Sequence, residues 1–220
     1  MKIGILGTGV VGRTLGTKLV SLGHAVTMGS RSESNKAAAA WAKAAGKGAA
    51  TGTFAAAAKA GEVVLNCTSG QHALEAVALA GSDNLNGKIL VDVSNPLDFS
   101  HGMPPTLTVC NTDSLAEQIQ RAFPGIRVVK ALNTVNSAVM VDPSLVPGEH
   151  ELFLCGNERA AKAKVAELLG ELGWTRDRLV DLGDITAARA TEMLLPFWAR
   201  AMTKFGHANF NFHLAVGGPA

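Results

Sequence analysis

Residues 2–12 read Lys2-Ile3-Gly4-Ile5-Leu6-Gly7-Thr8-Gly9-Val10-Val11-Gly12. An apolar run, Lys2–Leu6, leads without a break into Gly-x-Gly-x-x-Gly, and Gly9–Leu22 continues as a helix pattern. Strand, glycine turn and helix in that order give the motif its meaning, because the same glycines elsewhere would be only a turn. Gly7 permits the tight turn, Gly9 lets the backbone approach a pyrophosphate, and Gly12 lets the helix pack closely on the strand. The helix N-terminus then presents unpaired N–H groups and a positive dipole end to the anion. Thr8, Val10 and Val11 complete the phosphate loop.

Outward from this unit the same alternation continues. Short β-branched runs at His24–Met28, Glu62–Asn66, Lys88–Val93, Arg127–Leu132, Glu151–Cys155 and Arg178–Leu182 read as strands covered on both faces. Helices fill the gaps at Ser34–Ala45, Thr53–Ala60 with Thr53 as N-cap, Gln71–Ala80, Thr112–Phe123, and Asn157–Leu172 with Asn157 as cap. The pattern predicts an α/β fold of the Rossmann type, a doubly wound and mostly parallel sheet. Asp184–Phe205 breaks the rhythm as one long helix, with Asp184 as N-cap, a kink at Pro196 and a stop at Gly206. Its run Met193, Leu194, Leu195, Phe197, Trp198 is apolar almost all round, so it is expected to be buried on more than one side. Residues 1–183 are therefore read as the nucleotide-binding domain. Residues 184–220 are read as a small helical cap that completes the substrate pocket and packs on the sheet or on a second subunit.

The end of the second strand chooses the nucleotide. An NAD site places Asp or Glu there to bond the ribose 2′-hydroxyl. This chain has Met28-Gly29-Ser30-Arg31-Ser32. Arg31 offers a charged fork for a 2′-phosphate, Ser30 and Ser32 offer hydroxyls, and Lys36 lies close by on the next helix. Glu33 would repel a phosphate if it pointed inward. The reading is NADP rather than NAD.

Composition removes other classes. The chain has 20 Lys and Arg against 18 Asp and Glu, a net charge of +2, which is no electrostatic footprint for nucleic acid. Mean hydropathy is +0.20, yet no apolar run approaches the ~20 residues that span a bilayer, and no signal-peptide pattern stands at the N-terminus. Cys67, Cys110 and Cys155 are isolated, so neither a disulfide framework nor a metal site is indicated, and a cytoplasmic setting is expected. Tyrosine is absent, which excludes every mechanism whose acid is a phenol.

No catalytic constellation stands out. His72, after Gln71 at a helix start, either faces the cofactor loop or caps and packs. His101, His207 and His213 have no partner spacing for a triad or a metal. Asp92 and Asp98 flank Asn95-Pro96, read as a turn at the carboxyl end of the strands, where ligands bind in open α/β sheets. Asn133, Thr134 and Asn136 are candidates for orienting a nicotinamide, with Asn136 also open to a plain turn role. Glu192, on an otherwise apolar helix, is expected to pair with Arg189 or Arg200 in a structural role.

Taken together, GILGTGVVGRTLGTKLVSLGHAVTMGSR, VVLNCTSGQHAL, ILVDVSNPLDF, VVKALNTVNSAVM and the R-x-x-E-x-x-L-P helix at Arg189–Pro196 resemble the coenzyme factor 420-dependent NADP oxidoreductases. That coenzyme is a 5-deazaflavin. The later segments are shared with relatives, among them the cytosolic domain of six-transmembrane metalloreductases, which binds NADPH and flavin. The resemblance implies that Thr8, Ser30 and Arg31 hold the 2′-phosphate and that Gly7, Gly9, Val10 and Gly12 form the pyrophosphate loop. It further implies that Cys67, Thr68 and Ser69 pass the cofactor ribose, and that Asn133, Thr134 and the stretch to Ser137 stand beside the nicotinamide. The family tends to carry His-Thr where this chain has Asn133-Thr134, and a proline-bearing turn where it has Cys67-Thr68-Ser69-Gly70. Both departures lie where the second coenzyme would sit, so they bear on the hydride partner and leave NADP intact. The implied activity is hydride transfer between NADP(H) and a deazaflavin or flavin. A reductase of a small carbonyl or imine and a non-catalytic NADP sensor stand as alternatives. The apolar cap suggests a homodimer.

Overall fold

The computed structural model describes residues 1–218 of the 220. An eight-stranded sheet is built from β1 (Lys2–Leu6), β2 (Ala25–Ser30), β3 (Ala49–Thr53), β4 (Val63–Asn66), β5 (Ile89–Asp92), β8 (Arg127–Ala131), β9 (Leu152–Gly156) and β10 (Leu179–Asp181). A two-stranded hairpin of β6 (Leu97–Asp98) and β7 (Thr106–Leu107) stands apart from it. The helices are α1 (Val10–Ser21), α2 (Lys36–Ala45), α3 (Phe54–Ala60), α4 (Ala73–Ala80), α5 (Ser82–Leu85), α6 (Leu115–Ala122), α7 (Ser137–Val141), α8 (Arg159–Glu171) and α9 (Ala188–Phe205).

The strand order is β10-β9-β8-β5-β4-β1-β2-β3, and every pairing is parallel except that of β8 with β9. Alternation along each strand divides the core. Ile3, Ile5, Val63, Leu65, Val91 and Val129 pack with α1, α2 and α8 on one face. Val64, Leu90 and Val128 pack with α3, α4 and α6 on the other. Side chains of successive strand residues point to opposite faces, so near-continuous apolar strands are what a sheet covered on both sides requires. Gly4 shows how close one layer lies: a Cβ there would stand 2.4 Å from the Ala57 carbonyl oxygen of α3.

Local signals act largely as read. Thr53 Oγ1 accepts from Ala56 N at 3.1 Å, Asp184 Oδ1 from Thr186 N at 2.9 Å, and Gly206 ends α9 at φ +74°. Four readings are corrected. β3 is a strand that the sequence pattern does not mark, because Ala49–Thr53 is a half-exposed edge strand of Ala, Gly and Thr with no apolar period. Asn157 does not cap α8; its Oδ1 accepts from Ile185 N at 3.0 Å and so anchors the start of the C-terminal segment. The long helix is a 3-10 turn, Ile185–Ala187, followed by α9, in which Pro196 is accommodated. Asn95-Pro96 is more than a turn, as shown below.

α9 packs on α6, and the chain after it folds back. Phe210 packs on Trp198 with centroids 5.2 Å apart, and Phe212 on Phe197 at 5.9 Å. The tail is then tied to β9: Glu151 N donates to the Phe212 carbonyl at 3.0 Å, and Asn211 Nδ2 to the Glu151 carbonyl at 2.8 Å. Among the described residues no helix is long and apolar enough to cross a membrane.

Candidate functional site

β1 and β4 are neighbours, and the strand order reverses beside them, so the crevice at their carboxyl ends is where a doubly wound sheet receives a ligand. The glycine loop occupies that crevice. Gly7 has φ +115°, and a Cβ on it would stand 2.8 Å from the Cys67 carbonyl oxygen. A Cβ on Gly12 would stand 2.4 Å from the Gly7 carbonyl oxygen, so α1 rests directly on the turn. Gly9 differs: a Cβ there would meet nothing within 4 Å. The backbone at the N-cap of α1 therefore faces open space, and the first N–H groups of the helix have no acceptor inside it. That space and those donors fit a pyrophosphate.

On one side of the loop lies a cleft of about 280 Å³. Its floor is Gly7–Gly9, one wall is Ser30, Arg31, Ser32 and Asn35, and the other is Phe54, Cys67, Thr68, Ser69, His72, Glu75 and Ala76. Asn35 caps α2, accepting from Ala38 N at 2.9 Å, and so fixes the turn that carries Arg31. Ser30 is buried and its hydroxyl donates to the Ser32 carbonyl, which shapes the same turn. Arg31 is exposed and has no ion pair among the described residues. Glu33 is exposed and off the cleft wall, so it does not oppose an anion there. Lys36, the first residue of α2, is also exposed and does not line the cleft.

The far wall is held by β4. Thr68 Oγ1 donates to Asn66 Oδ1 at 2.7 Å. Burial, helped by the Asp92 charge, pushes the Cys67 thiol far above its ordinary range, so it is an uncharged packing group rather than a nucleophile. His72 is exposed on the cleft rim, its Nδ1 3.5 Å from Glu75 Oε2. Position 70 has room only for glycine: a Cβ at Gly70 would stand 1.9 Å from the Asn95 carbonyl oxygen.

Past the loop, on the β5 and β8 side, is a second pocket of about 150 Å³. It is lined by Val11, Val93, Asn95, Asn133, Val135, Asn136, Ser137, Met140, Leu195 and Trp198. Val10 is exposed and lines neither pocket, whereas Val11 reaches this one. Two strand-end loops are joined by a reciprocal pair: Asn95 Nδ2 donates to the Asn133 carbonyl at 2.8 Å, and Asn133 Nδ2 to Asn95 Oδ1 at 3.0 Å. Leu132, just before Asn133, is buried with φ +66°, a left-handed conformation that costs a non-glycine residue roughly 1–2 kcal/mol. Asn133 Oδ1 and Thr134 Oγ1 are buried and have no hydrogen-bond partner among the described residues. Asn136 is committed elsewhere. Its Oδ1 caps α7, accepting from Ala138 N at 2.8 Å, and its Nδ2 donates to the Ala208 carbonyl and to Asn209 Oδ1 of the tail. Ser137 begins α7 on the pocket wall.

Beneath this pocket is a buried charge cluster that sequence spacing could not disclose. Lys130 Nζ lies 2.7 Å from Asp92 Oδ2 and 2.7 Å from Glu192 Oε1, and donates to the Ser94 carbonyl at 2.6 Å. Asp92 Oδ1 also accepts from Asn66 Nδ2 at 2.9 Å and Ser94 Oγ at 2.6 Å. Glu192 is thus not paired with Arg189 or Arg200. Its carboxylate takes Lys130 and the first N–H groups of α6, Leu115 N at 2.9 Å and Ala116 N at 3.2 Å. Arg189 instead grips Glu117 at 2.6 and 2.9 Å. Burial pushes the Glu192 carboxyl up, against the pull of Lys130. Burial also works against the Lys130 ammonium, but its two carboxylates outweigh that and hold it above its ordinary value.

Comparison with known proteins places this geometry. Residues 2–96 match the family model described as NADP oxidoreductase coenzyme F420-dependent. A crystal structure from Arthrobacter sp. FB24, provisionally described as an F420-dependent NADP-reductase, is 50% identical, covers 98% of this chain and 100% of its own, and has a TM-score of 0.92. Metalloreductase STEAP3 of Rattus norvegicus is 34% identical over 203 residues, 90% of this chain; the chain spans 38% of that protein's length. A reductive aminase from Aspergillus terreus, solved with NADPH and ethyl-5-oxohexanoate, is 18% identical over 93% of this chain and 62% of its own, with a TM-score of 0.64. At that identity the likeness is one of fold.

Proposed function

Because the chain belongs to the coenzyme F420-dependent NADP oxidoreductase family, and is an NADP-dependent oxidoreductase, we propose that it passes a hydride between the nicotinamide and the ring of a deazaflavin or flavin. One observation carries this reading: among the described residues, the pocket that would take the nicotinamide has no titratable side chain on its wall. Reduction of a carbonyl or imine needs a proton delivered to the substrate, and a positioned acid is the usual source. Ring-to-ring transfer asks the protein only to align two faces and exclude water. Bound NADPH would supply the hydride from nicotinamide carbon 4, and the acceptor ring would take it together with one proton from water.

The residues divide this work. Arg31 and the turn of Ser30 and Ser32 would hold the 2′-phosphate, with Thr8 beside them. Gly7, Gly9 and Gly12 would set the pyrophosphate on the N-terminus of α1. Cys67, Thr68 and Ser69 would border the ribose, and His72 the adenosine end. Val11, Val135 and Met140 would keep water from the reacting face, while Asn133, Thr134 and Ser137 orient the ring. The helix α9 and its tail, residues 184–220 in the reading above, would close this end as a cap, with a homodimer as the working assembly.

The test is absorbance at 340 nm with NADPH and, in turn, coenzyme F420, FMN, FAD, and small carbonyl and imine substrates. Oxidation of NADPH is expected with a ring acceptor and not with the small substrates. Turnover of a carbonyl or imine alone would overturn the reading. NADPH binding with no turnover of any acceptor would favour a sensor.

A further inference from the structure

Four buried side-chain polar atoms lack a partner among the described residues, and two of them, Asn133 Oδ1 and Trp198 Nε1, belong to residues that line one pocket; a third, Thr134 Oγ1, belongs to the residue next to Asn133. Asn133 and Trp198 line the same 150 Å³ pocket, though they come from opposite parts of the fold, a strand end and the middle of α9. A buried donor or acceptor left unmet is costly, so a donor and an acceptor orphaned on the walls of one pocket point to a ligand that meets them. Their chemistry is specific. The Asn133 amide is fixed by its neighbour: Asn95 Nδ2 is spent on the Asn133 carbonyl, so Asn95 Oδ1 must face the Asn133 NH₂, and Asn133 Oδ1 is left as an acceptor. The Trp198 indole can only donate. The Thr134 hydroxyl can do either.

An acceptor and a donor match a primary carboxamide, which offers two N–H groups and one C=O. We propose that Trp198 is a cofactor-binding residue: its indole N–H donates to the carboxamide oxygen of the nicotinamide, while Asn133 Oδ1 accepts from the carboxamide NH₂. This rests on the NADP reading above and adds α9 to the cofactor site. Two features hold the indole for the task. Leu195 lies one turn before it on the same face and on the same pocket wall, and Phe210 of the tail packs against its ring. The pocket follows from topology as well, because a dinucleotide whose 2′-phosphate is at Arg31 and whose pyrophosphate is at Gly9 must send its other half toward β5 and β8.

Trp198→Phe keeps an aromatic ring against Phe210 and removes only the donor. Binding of NADPH, of its 3-acetylpyridine analogue and of 2′,5′-ADP would be measured by calorimetry on both proteins. The variant is expected to bind NADPH about tenfold more weakly, the effect of one lost buried hydrogen bond, and 2′,5′-ADP as the wild type does. The wild type is expected to prefer NADPH to the acetylpyridine analogue, which keeps the C=O and lacks the NH₂. Equal NADPH affinity in variant and wild type would overturn the Trp198 contact alone. A parallel loss for NADPH and 2′,5′-ADP would assign Trp198 a purely structural role and overturn it too. A wild type that binds neither NADPH nor 2′,5′-ADP would bring down the NADP reading and this contact together.

Discussion

The two ends of the crevice are built on opposite principles. At the Arg31 end the charged group stands exposed on a short turn, held by hydrogen bonds that reach only two or three residues along the chain. At the Asn133 end the polar groups are buried, tied between strand-end loops, and underlain by Lys130, Asp92 and Glu192 at no more than 1% exposure each. An exposed cation can adapt to an anion, and its contribution is affinity. A buried amide network adapts little, and its contribution would be a fixed position for the reacting ring. On the proposed reading, discrimination between NADP and NAD would sit on a local, exposed turn, while the geometry of hydride transfer would sit in the buried core.

The largest expected effect breaks the rigid end. Lys130→Ala leaves two buried carboxylates without their cation, and is expected to cost about 3–5 kcal/mol in urea unfolding. A loss under about 1 kcal/mol would mean that the cluster does not hold the core. Next comes the exposed end. Arg31→Ala is expected to weaken NADPH about ten- to a hundredfold in fluorescence titration, with NADH binding and thermal stability unchanged. A variant that keeps its preference for NADPH would refute the role of Arg31. Between the two ends, Gly9→Ala should separate folding from binding. Its backbone angles suit alanine and nothing lies within 4 Å, so stability should fall by no more than about 1 kcal/mol. The methyl would enter the pyrophosphate space, so NADPH affinity should drop about tenfold.

The smallest effect concerns pH. The Arg189 fork holds the Glu117 carboxyl below the usual carboxylate range despite its burial. Its folded value is thus below its unfolded one, so its contribution is present above the ordinary range near pH 4 and is lost as the pH falls through the folded value. Thermal stability of Glu117→Gln should be lower than wild type at neutral pH, and the two curves should converge on acidification.

This contrast also decides what could be read from the chain. β1, the glycine loop, α1 and the Ser30-Arg31 turn are consecutive in sequence, and each residue's task follows from its neighbours. The caps at Thr53 and Asp184 are equally local. Glu192 is the opposite case. Helix spacing offers Arg189 three residues away, but the fold offers Lys130 and the open end of α6, which no periodicity connects to it. Asn95 looks like a turn residue because its partner Asn133 lies on the loop after another strand. Asn157 looks like a cap for the helix that follows, and is drawn off by Ile185 instead. The edge strand Ala49–Thr53 has no pattern to find, since its place is set by pairing with β2.

The antiparallel turn of β9 has a consequence for traffic through the molecule. In a sheet with every strand parallel, whatever follows the last strand sets out from the cofactor edge and a long helix carries it away. Here β9 and β10 run against the rest, so α9 departs from the far edge, beside Asn157 and Gly183. Its 18 residues reach about 27 Å and bring the tail back to Glu151 at the cofactor edge. The helix therefore works as a ruler. One residue inserted before Trp198 would turn the indole by about 100° and take it off the pocket wall, whatever its effect on folding. A single reversal of chain direction thereby selects which edge of the sheet the C-terminal aromatics can serve.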